Sequence, residues 1–357
     1  MGEKKRILHL LASHVYGGAE NVVCQIIQMF RDDPDVEMFY CSPDGSVRPS
    51  LEERAIDFRP VKAMTPGEVR RVIREVQPTI IHAHDMRASL MAALTCGHIP
   101  FLSHIHNNNF DSRGITPKAV AYLYAARRAE RVFWVSPAAF HGYRFHKALE
   151  GKSVMLRNVI DPGQLLAKAD AAQPEGPYDI VFLGRMDYPK NPTRLVEVMA
   201  AAARRHPGLR CAIIGIGDLE ADVRDTIEKL GCGDSVFQLG FRSNPYGMLR
   251  DAKLMLMTSR WEGLPMCALE ALTLGTPIVS TPVDGLLDVV IPGKTGFLAA
   301  DNDALTEKCL EIIEHPELRA FLSGEARAKA GELLDVEKYR QTIWDAYCIP
   351  ERKGAAR

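Results

Sequence analysis

No apolar run reaches the roughly 18 residues needed for a membrane-spanning helix, anywhere in the 357-residue chain. The start, MGEKKRILHLLASHVYGG, carries a basic lead. His9 and His14 break its apolar stretch and no small-residue cleavage site follows, so it does not read as a signal peptide. Eight cysteines (Cys24, Cys41, Cys96, Cys211, Cys232, Cys267, Cys309 and Cys348) form no C-x-x-C pair. In a chain long enough to build a core without disulfides they read as reduced, cytosolic and structural. Neither sign of charge is in excess, with 44 Lys+Arg against 45 Asp+Glu, which argues against a nucleic-acid coat protein. No repeat and no low-complexity tract occurs, so solenoids and disordered linkers are set aside.

What is present is an ordinary globular composition, 46% hydrophobic and 25% charged, at a length that favours two domains. The halves differ in sign. Residues 1–160 hold 21 basic and 16 acidic side chains, and the remainder 23 and 29, so they face different partners. Short β-rich apolar runs alternate with longer amphipathic stretches, which predicts an α/β fold with parallel sheets. The first six runs are RILHLLA, VEMFYCS, TIIHAHD, PFLSHIH, RVFWVSP and SVMLRN. The second six are DIVFLGR, RCAIIGIG, SVFQLGF, KLMLMTS, PIVSTPV and GFLA. Six on each side predict two doubly wound sheets. Between them, residues 167–178 mix Ala, polar residues, Pro174, Gly176 and Pro177 without apolar period and read as the linker. Two such sheets leave a cleft, with ligands expected outside the carboxyl ends of the strands.

Candidate chemistry gathers at three strand ends. In LMLMTSRWEGLPMCALEALTLGTPIVS, residues 254–280, a strand and a loop lead into a helix predicted from Pro265 to Leu274 and stopped by Gly275. Its free N–H groups and dipole make an anion site. Glu262 precedes this helix and Glu270 lies inside it, too far apart for one reacting atom but suited to gripping hydroxyls at two places on one ligand. In GRMDYPKNP, residues 184–192, Arg185 and Lys190 follow a strand, where two cations can hold a diphosphate and neutralise it as it leaves. In GGAE, Gly17 and Gly18 open a helix, and backbone without side chains can approach a phosphate or sugar. Each motif alone also fits a bland role: a charge at a helix start, a surface cation pair, a tight turn.

Taken in order, these motifs resemble glycosyltransferase family 4, the retaining nucleotide-sugar transferases of GT-B fold. EGLPMCALE carries the E-x7-E element, GTPIV its G-x-P-x-V sequel, GRMDYPKNP the G-R-x-x-x-x-K element, IIGIGDLE the glycine turn and GKTGFL the late loop; GGAE and NVID match the first half. The resemblance implies two Rossmann-like domains facing a central cleft. Residues 1–166 would bind the acceptor and 179–335 the donor, with the helix of 336–357 packing back on the first domain. It implies that Arg185 and Lys190 bind the donor diphosphate with the backbone at the helix start, the N–H groups of Gly263, Leu264 and Met266 around Pro265. Glu262 would hold the sugar, Glu270 the ribose, and Phe241 and Arg242 the base, with Gly215 in the glycine turn. His106 is the closest match to a histidine beside the reacting sugar, and His84, His104 and Asn107 are placed nearer the acceptor. One departure stands out: the family's G-G-x-x-E reads here as Asp284, Gly285 and Asp288.

The histidines support a rival reading. His82 with His84, and His104 with His106, form H-x-H pairs that point to one face of a strand, a metal-ligand pattern. A metal-dependent hydrolase needs further Glu or Lys ligands at a recognisable spacing, and none stands near, so no metal is expected. GIGDLE puts Glu220 where a dinucleotide fingerprint needs glycine, GKT lacks the upstream glycine of a phosphate-binding loop, and the pairs Asp33/Asp35 and Asp301/Asp303 lie among loop residues. From Arg113 to Arg157 nine Lys+Arg interleave with aromatics against Glu130 and Glu150 alone, which suits an anionic acceptor or an anionic membrane surface. The reading is a cytosolic, peripheral retaining transferase. It takes a UDP-sugar to an acceptor hydroxyl, in polysaccharide or lipid-linked glycan assembly, without cofactor or metal. The alternatives are a nucleotide-sugar-binding regulator and a sugar-nucleotide epimerase.

Overall fold

A computed structural model describes residues 4–106, 110–173 and 175–348. Twelve strands form: β1 (Lys5–Leu10), β2 (Val36–Cys41), β3 (Ile80–Ala83), β4 (Phe101–Ile105), β5 (Arg131–Trp134), β6 (Ser153–Met155), β7 (Ile180–Leu183), β8 (Cys211–Ile214), β9 (Val236–Gly240), β10 (Leu254–Met257), β11 (Ile278–Ser280) and β12 (Gly296–Leu298). Eleven fall inside the runs read from the sequence, and β1 starts one residue earlier than its run, at Lys5. Their apolar continuity has a physical cause, because a parallel strand covered by helices on both faces has no solvent side on which to carry polar residues.

The chain divides into two compact units. Unit 1 comprises residues 1–158 and 336–357, and unit 2 residues 159–335. In unit 1 the parallel sheet has the order β2-β1-β3-β4-β5-β6. Leu8, Leu10, Ile81, Ala83, Ile105 and Trp134 point from one face into a core shared with Val69, Val72, Ala92 and Tyr122 of the covering helices. Those helices begin in a repeated way: a Ser or Thr side chain caps the first turn and proline takes the next position, at Thr65–Pro66, Thr116–Pro117 and Ser136–Pro137. The helix Val336–Tyr347 belongs to this unit. Tyr347 hydroxyl meets His82 Nδ1 at 2.9 Å, Trp344 stacks on Phe30, and Arg340 pairs with Asp33 at 3.3 Å.

In unit 2 the order is β12-β11-β10-β7-β8-β9, again all parallel. Its core gathers Phe182, Leu195, Met199, Ile213, Leu256 and Leu305. The boundary differs from the one read from composition. Asp161 caps a helix Pro162–Asp170, which buries Leu165 and Ala169 in this unit, so the unit begins at Val159 and residues 167–170 are helical rather than linker. An alanine-rich stretch hid a two-residue apolar face. One aspartate of each D-x-D pair has a structural partner: Asp301 caps a helix through Ala304 N–H and Asp33 holds Arg340. All eight cysteines are free thiols. Among the described residues no helix is long and apolar enough to cross a membrane.

Candidate active site

Counted from β7, the sheet of unit 2 runs third-second-first-fourth-fifth-sixth, and the direction of winding reverses between β7 and β10. Loops leaving the carboxyl ends of the two strands at such a reversal diverge to opposite faces and leave a crevice for a ligand. The loop after β7 carries Arg185 and Lys190; the loop after β10 carries Glu262.

The two loops are locked together. Arg260 N–H donates to the Pro189 carbonyl at 2.7 Å, its guanidinium to Asn191 Oδ1 at 2.9 Å, and Thr258 hydroxyl to the Asn191 carbonyl at 3.1 Å. Asn191 sits in the left-handed region, φ 53°, which lets the 3-10 turn Tyr188–Lys190, capped by Asp187, pass directly into the helix Pro192–Arg205. Lys190 Nζ thereby reaches Glu262 Oε1 at 2.6 Å, and Ser259 hydroxyl donates to the same oxygen at 2.6 Å. Both charges are largely buried. Burial would push the Lys190 ammonium down, but the attraction of Glu262 overrides it and leaves its pKa above the usual value.

The helix Met266–Leu274 starts four residues beyond Glu262. Pro265 is its N-cap rather than its first helical residue, and Gly275, φ 80°, ends it as expected. Ala268 and Leu269 N–H both turn back to the Pro265 carbonyl, at 3.1 and 3.4 Å, so the N–H groups of Met266 and Cys267 come before the first bond of the helix, and its dipole favours an anion there. Gly263 and Leu264 are held from outside: a Cβ on Gly285 would come within 1.9 Å of the Gly263 carbonyl oxygen. The Asp284-Gly285 departure therefore keeps the one glycine that the close approach requires. One turn in, Glu270 is buried and accepts the Tyr246 hydroxyl at 3.2 Å. Burial raises its carboxyl to about 7, against the pull of the Tyr246 hydrogen bond.

Other expected donor contacts differ in kind. Arg185 is exposed and pairs with Asp187 at 3.3 Å. Gly215, φ 135°, has a structural reason to be glycine, since a Cβ would lie 2.0 Å from the Gly184 carbonyl oxygen. This is where the ends of β7 and β8 zip together through Gly184 N–H to Ile214 O. Glu220, which broke the dinucleotide fingerprint, accepts Gly217 N–H at 2.9 Å. Phe241 leaves 52% of its surface to solvent just past β9, while Arg242 is turned aside to Glu175 at 3.1 Å and the Leu239 carbonyl.

The chain matches two family models that together run almost end to end: Glycosyltransferase Family 4 over residues 16–164 and Glycosyl transferases group 1 over residues 165–329. The chain belongs to glycosyltransferase family 4. Among the relatives of this transferase is the uncharacterized glycosyltransferase MJ1059 of Methanocaldococcus jannaschii, 25% identical over 76% of this chain and 79% of that one. The putative colanic acid biosynthesis glycosyltransferase WcaL of Salmonella typhimurium is 29% identical over 44% of this chain and 42% of its own length. In structure, the chain is similar to Anabaena Alr3699/HepE, crystallised in complex with UDP-glucose. Its TM-score is 0.80 at 22% identity, covering 95% of this chain and 98% of that one. These likenesses and the two six-stranded parallel sheets make the fold GT-B.

In unit 1 of the transferase the expected residues separate. Gly17 caps the helix Gly18–Met29 in an extended conformation, so the two glycines open that helix seven and eight residues past the end of β1. His84, His104 and His106 lie on one face of the sheet beside His9 and His82, with His84 Nε2 2.9 Å from His9 Nδ1 and His84 Nδ1 3.0 Å from His106 Nε2. Burial drives every one of these imidazoles below its usual pKa, His9 to about 3 and His106 to about 4. His84 and His104 are enclosed by protein. That corrects their placement as acceptor contacts, since neither presents surface to a ligand; His106 alone reaches the surface, 6% exposed. Asn107 lies outside the described residues.

Four partners escaped the sequence reading. Ser259 and Tyr246 complete the settings of Glu262 and Glu270, and Asp187 takes Arg185. His9 completes the histidine face because β1 and β3 pair with His9 beside His82. Its signal was position: it stands next to last in a strand whose partner carries H-x-H.

Proposed function

We propose that this glycosyltransferase moves a sugar from a UDP-sugar to an acceptor hydroxyl with retention at the anomeric carbon. The observation that carries the reading is the Lys190–Glu262 pair set at the β7/β10 reversal, beside the free N–H groups of the helix Met266–Leu274. A nucleoside diphosphate arriving there meets an ammonium, a second cation from Arg185 once it leaves Asp187, and a helix dipole. Glu262, released from Lys190, is free to accept hydroxyls of the sugar. Glu270 is placed to accept from ribose, and the exposed Phe241 ring to stack on the base. The HepE complexes with UDP, glucose and UDP-glucose favour UDP as the nucleotide.

What the site holds supports a front-face course. Two carboxylates flanking a scissile bond would make a glycosidase-like double displacement; Glu262, before the helix, and Glu270, one turn inside it, do not form such a facing pair. Attack on the face that the diphosphate leaves, through an oxocarbenium-like state, lets the departing phosphate accept the acceptor proton. Lys190 and Arg185 stabilise that phosphate, each contact lowering the barrier by about 3 kcal/mol, so no metal ion is needed on the diphosphate. His106 is assigned to the transferred sugar on the family likeness.

The acceptor is a growing glycan or lipid-linked sugar, and the enzyme is cytosolic and peripheral on a membrane. The WcaL likeness supports the first. For the second, Ile115, Val120 and Tyr124 are exposed next to Lys118 and Arg127, and free thiols suit a reducing compartment. Incubation with UDP-sugars and a lipid-linked acceptor, in EDTA, tests the reading. Release of UDP with an α-linked product from an α-linked donor is expected. Interconversion of the donor without acceptor, or binding without turnover, would overturn it.

A further inference from the structure

The sheet of unit 1 also reverses its winding, between β1 and β3, and it is there that five imidazoles meet. His9 comes from β1, His82 and His84 from β3 and its end, His104 and His106 from β4 and its end. Strand alternation puts all five on one face, with Phe133 of β5 and Tyr347 of the covering helix closing the sides. Asp85 is the carboxylate next to them in sequence, and it is committed elsewhere, accepting Ala12 and Ala88 N–H at 2.7 Å each. The result is a pocket of neutral nitrogen lone pairs. A buried polar atom without a partner is destabilising by about 1–3 kcal/mol. His104, 0% exposed, has no hydrogen-bond partner on either ring nitrogen among the described residues.

We propose that His84, His104 and His106 form a binding site for a late first-row divalent transition ion, zinc first. One ring nitrogen of each lies within 4.8 Å of the other two. His84 Nδ1 and His106 Nε2 are already 3.0 Å apart, near the roughly 3.4 Å that Zn–N bonds of about 2.1 Å at tetrahedral angles impose. His104 closes the triangle by a small ring movement. Three imidazoles with a fourth position left open is a recurrent zinc arrangement, and an all-nitrogen donor set excludes magnesium and calcium, which take oxygen.

The outer partners suit the role. A metal-bound imidazole donates its other N–H, which fixes its tautomer. With an ion on Nδ1, His84 carries its proton on Nε2, 2.9 Å from His9 Nδ1. The Asn158 side chain is near enough to His106 to favour a proton on that ring. Because burial keeps the rings neutral, the ion displaces no proton at neutral pH; each ring only shifts tautomer. A second triad, His9, His82 and His84, meets the same distance criterion, but His82 Nδ1 is already engaged by Tyr347 and all three rings are sealed from solvent. Of the chosen triad, His106 is the least enclosed, 6% exposed. Zinc on Nε2 takes the lone pair of the ring assigned above to the sugar, so saturation should slow transfer; that consequence rests on the transferase reading, whereas binding does not.

The test is calorimetric titration of the full chain, stripped with EDTA, with ZnCl2, and absorption spectra with CoCl2. The expected results are one zinc per chain, a raised Tm and the visible bands of four-coordinate cobalt. His106→Gln and His104→Phe should weaken binding at least tenfold, and the exposed His98→Gln should leave it unchanged. Absence of saturable binding in the unmodified chain, or undiminished binding in His106→Gln, overturns the site. His106 stands at the end of β4, so its variant decides the matter even where His104→Phe fails to fold.

Discussion

The two units place opposite chemistry at the same topological position. Where the sheet of unit 2 reverses, a cation and an anion sit 2.6 Å apart beside a helix N-terminus; where the sheet of unit 1 reverses, five uncharged imidazoles crowd together. The common architecture thus sets where a ligand goes, and the side chains set which kind. Paired charges that are released on binding suit a polyanion with hydroxyls, because each partner is stabilised in the free state and finds a new one in the complex. Neutral lone pairs suit a cation.

The contrast predicts opposite responses to pH, and the largest effect is in unit 1. An unfolded imidazole binds its proton near 6.5, whereas the folded rings hold out to far lower values, His9 to about 3 and His106 to about 4. Between those limits the unfolded chain carries more protons, so stability is full above about 6.5 and falls on acidification. The slope is about 1.4 kcal/mol per pH unit for each histidine. Urea melts from pH 7.5 to 4.5 should show it; a flat profile would mean the rings are not neutral and buried.

Lys190→Ala should lower turnover by about 10²–10³-fold, the scale of losing one transition-state electrostatic contact. It also strands Glu262, which costs about 3–5 kcal/mol of stability in a buried pair. Lys190→Ala combined with Glu262→Gln should restore the melting temperature without restoring the rate. Recovery of both would reduce the pair to a structural one.

Glu270 gives unit 2 its own pH dependence, of the other sign. Burial raises its carboxyl from 4.5 to about 7, so across that window the unfolded chain has already lost the proton that the folded chain keeps. Stability therefore falls as pH rises through it and levels off above about 7, by about 3 kcal/mol in all. Glu270→Gln should flatten this limb and leave the acid limb of unit 1 in place. The smallest effect is expected from Tyr246→Phe. It removes one hydrogen bond worth about 1 kcal/mol and shifts the Glu270 midpoint further upward, readable in the same melts.

The strands were plain in the sequence because burial on both faces leaves a continuous apolar signature, and helix starts were marked by Ser or Thr before proline. The boundary between units was not plain: in Pro162–Asp170 only Leu165 and Ala169 mark the buried face, too weak a period among alanines. Lys190 and Glu262 were each named as candidates, but their pairing joins residues 72 positions apart and needs the strand order that brings β7 beside β10. Gly215 stood out as part of a glycine turn, but the backbone reason for it, its φ and the closeness of the Gly184 carbonyl, needs the strand pairing to be seen. The H-x-H pairs were visible, yet their union through His9 depended on the β1–β3 register.

The most direct check is calorimetric titration of UDP into the unmodified chain and into Lys190→Ala, both confirmed folded by circular dichroism. One UDP per chain, with affinity reduced at least tenfold in the variant, is the predicted result. Equal affinity in the two proteins, or no binding to the first, would contradict the assignment of the donor to the β7/β10 crevice.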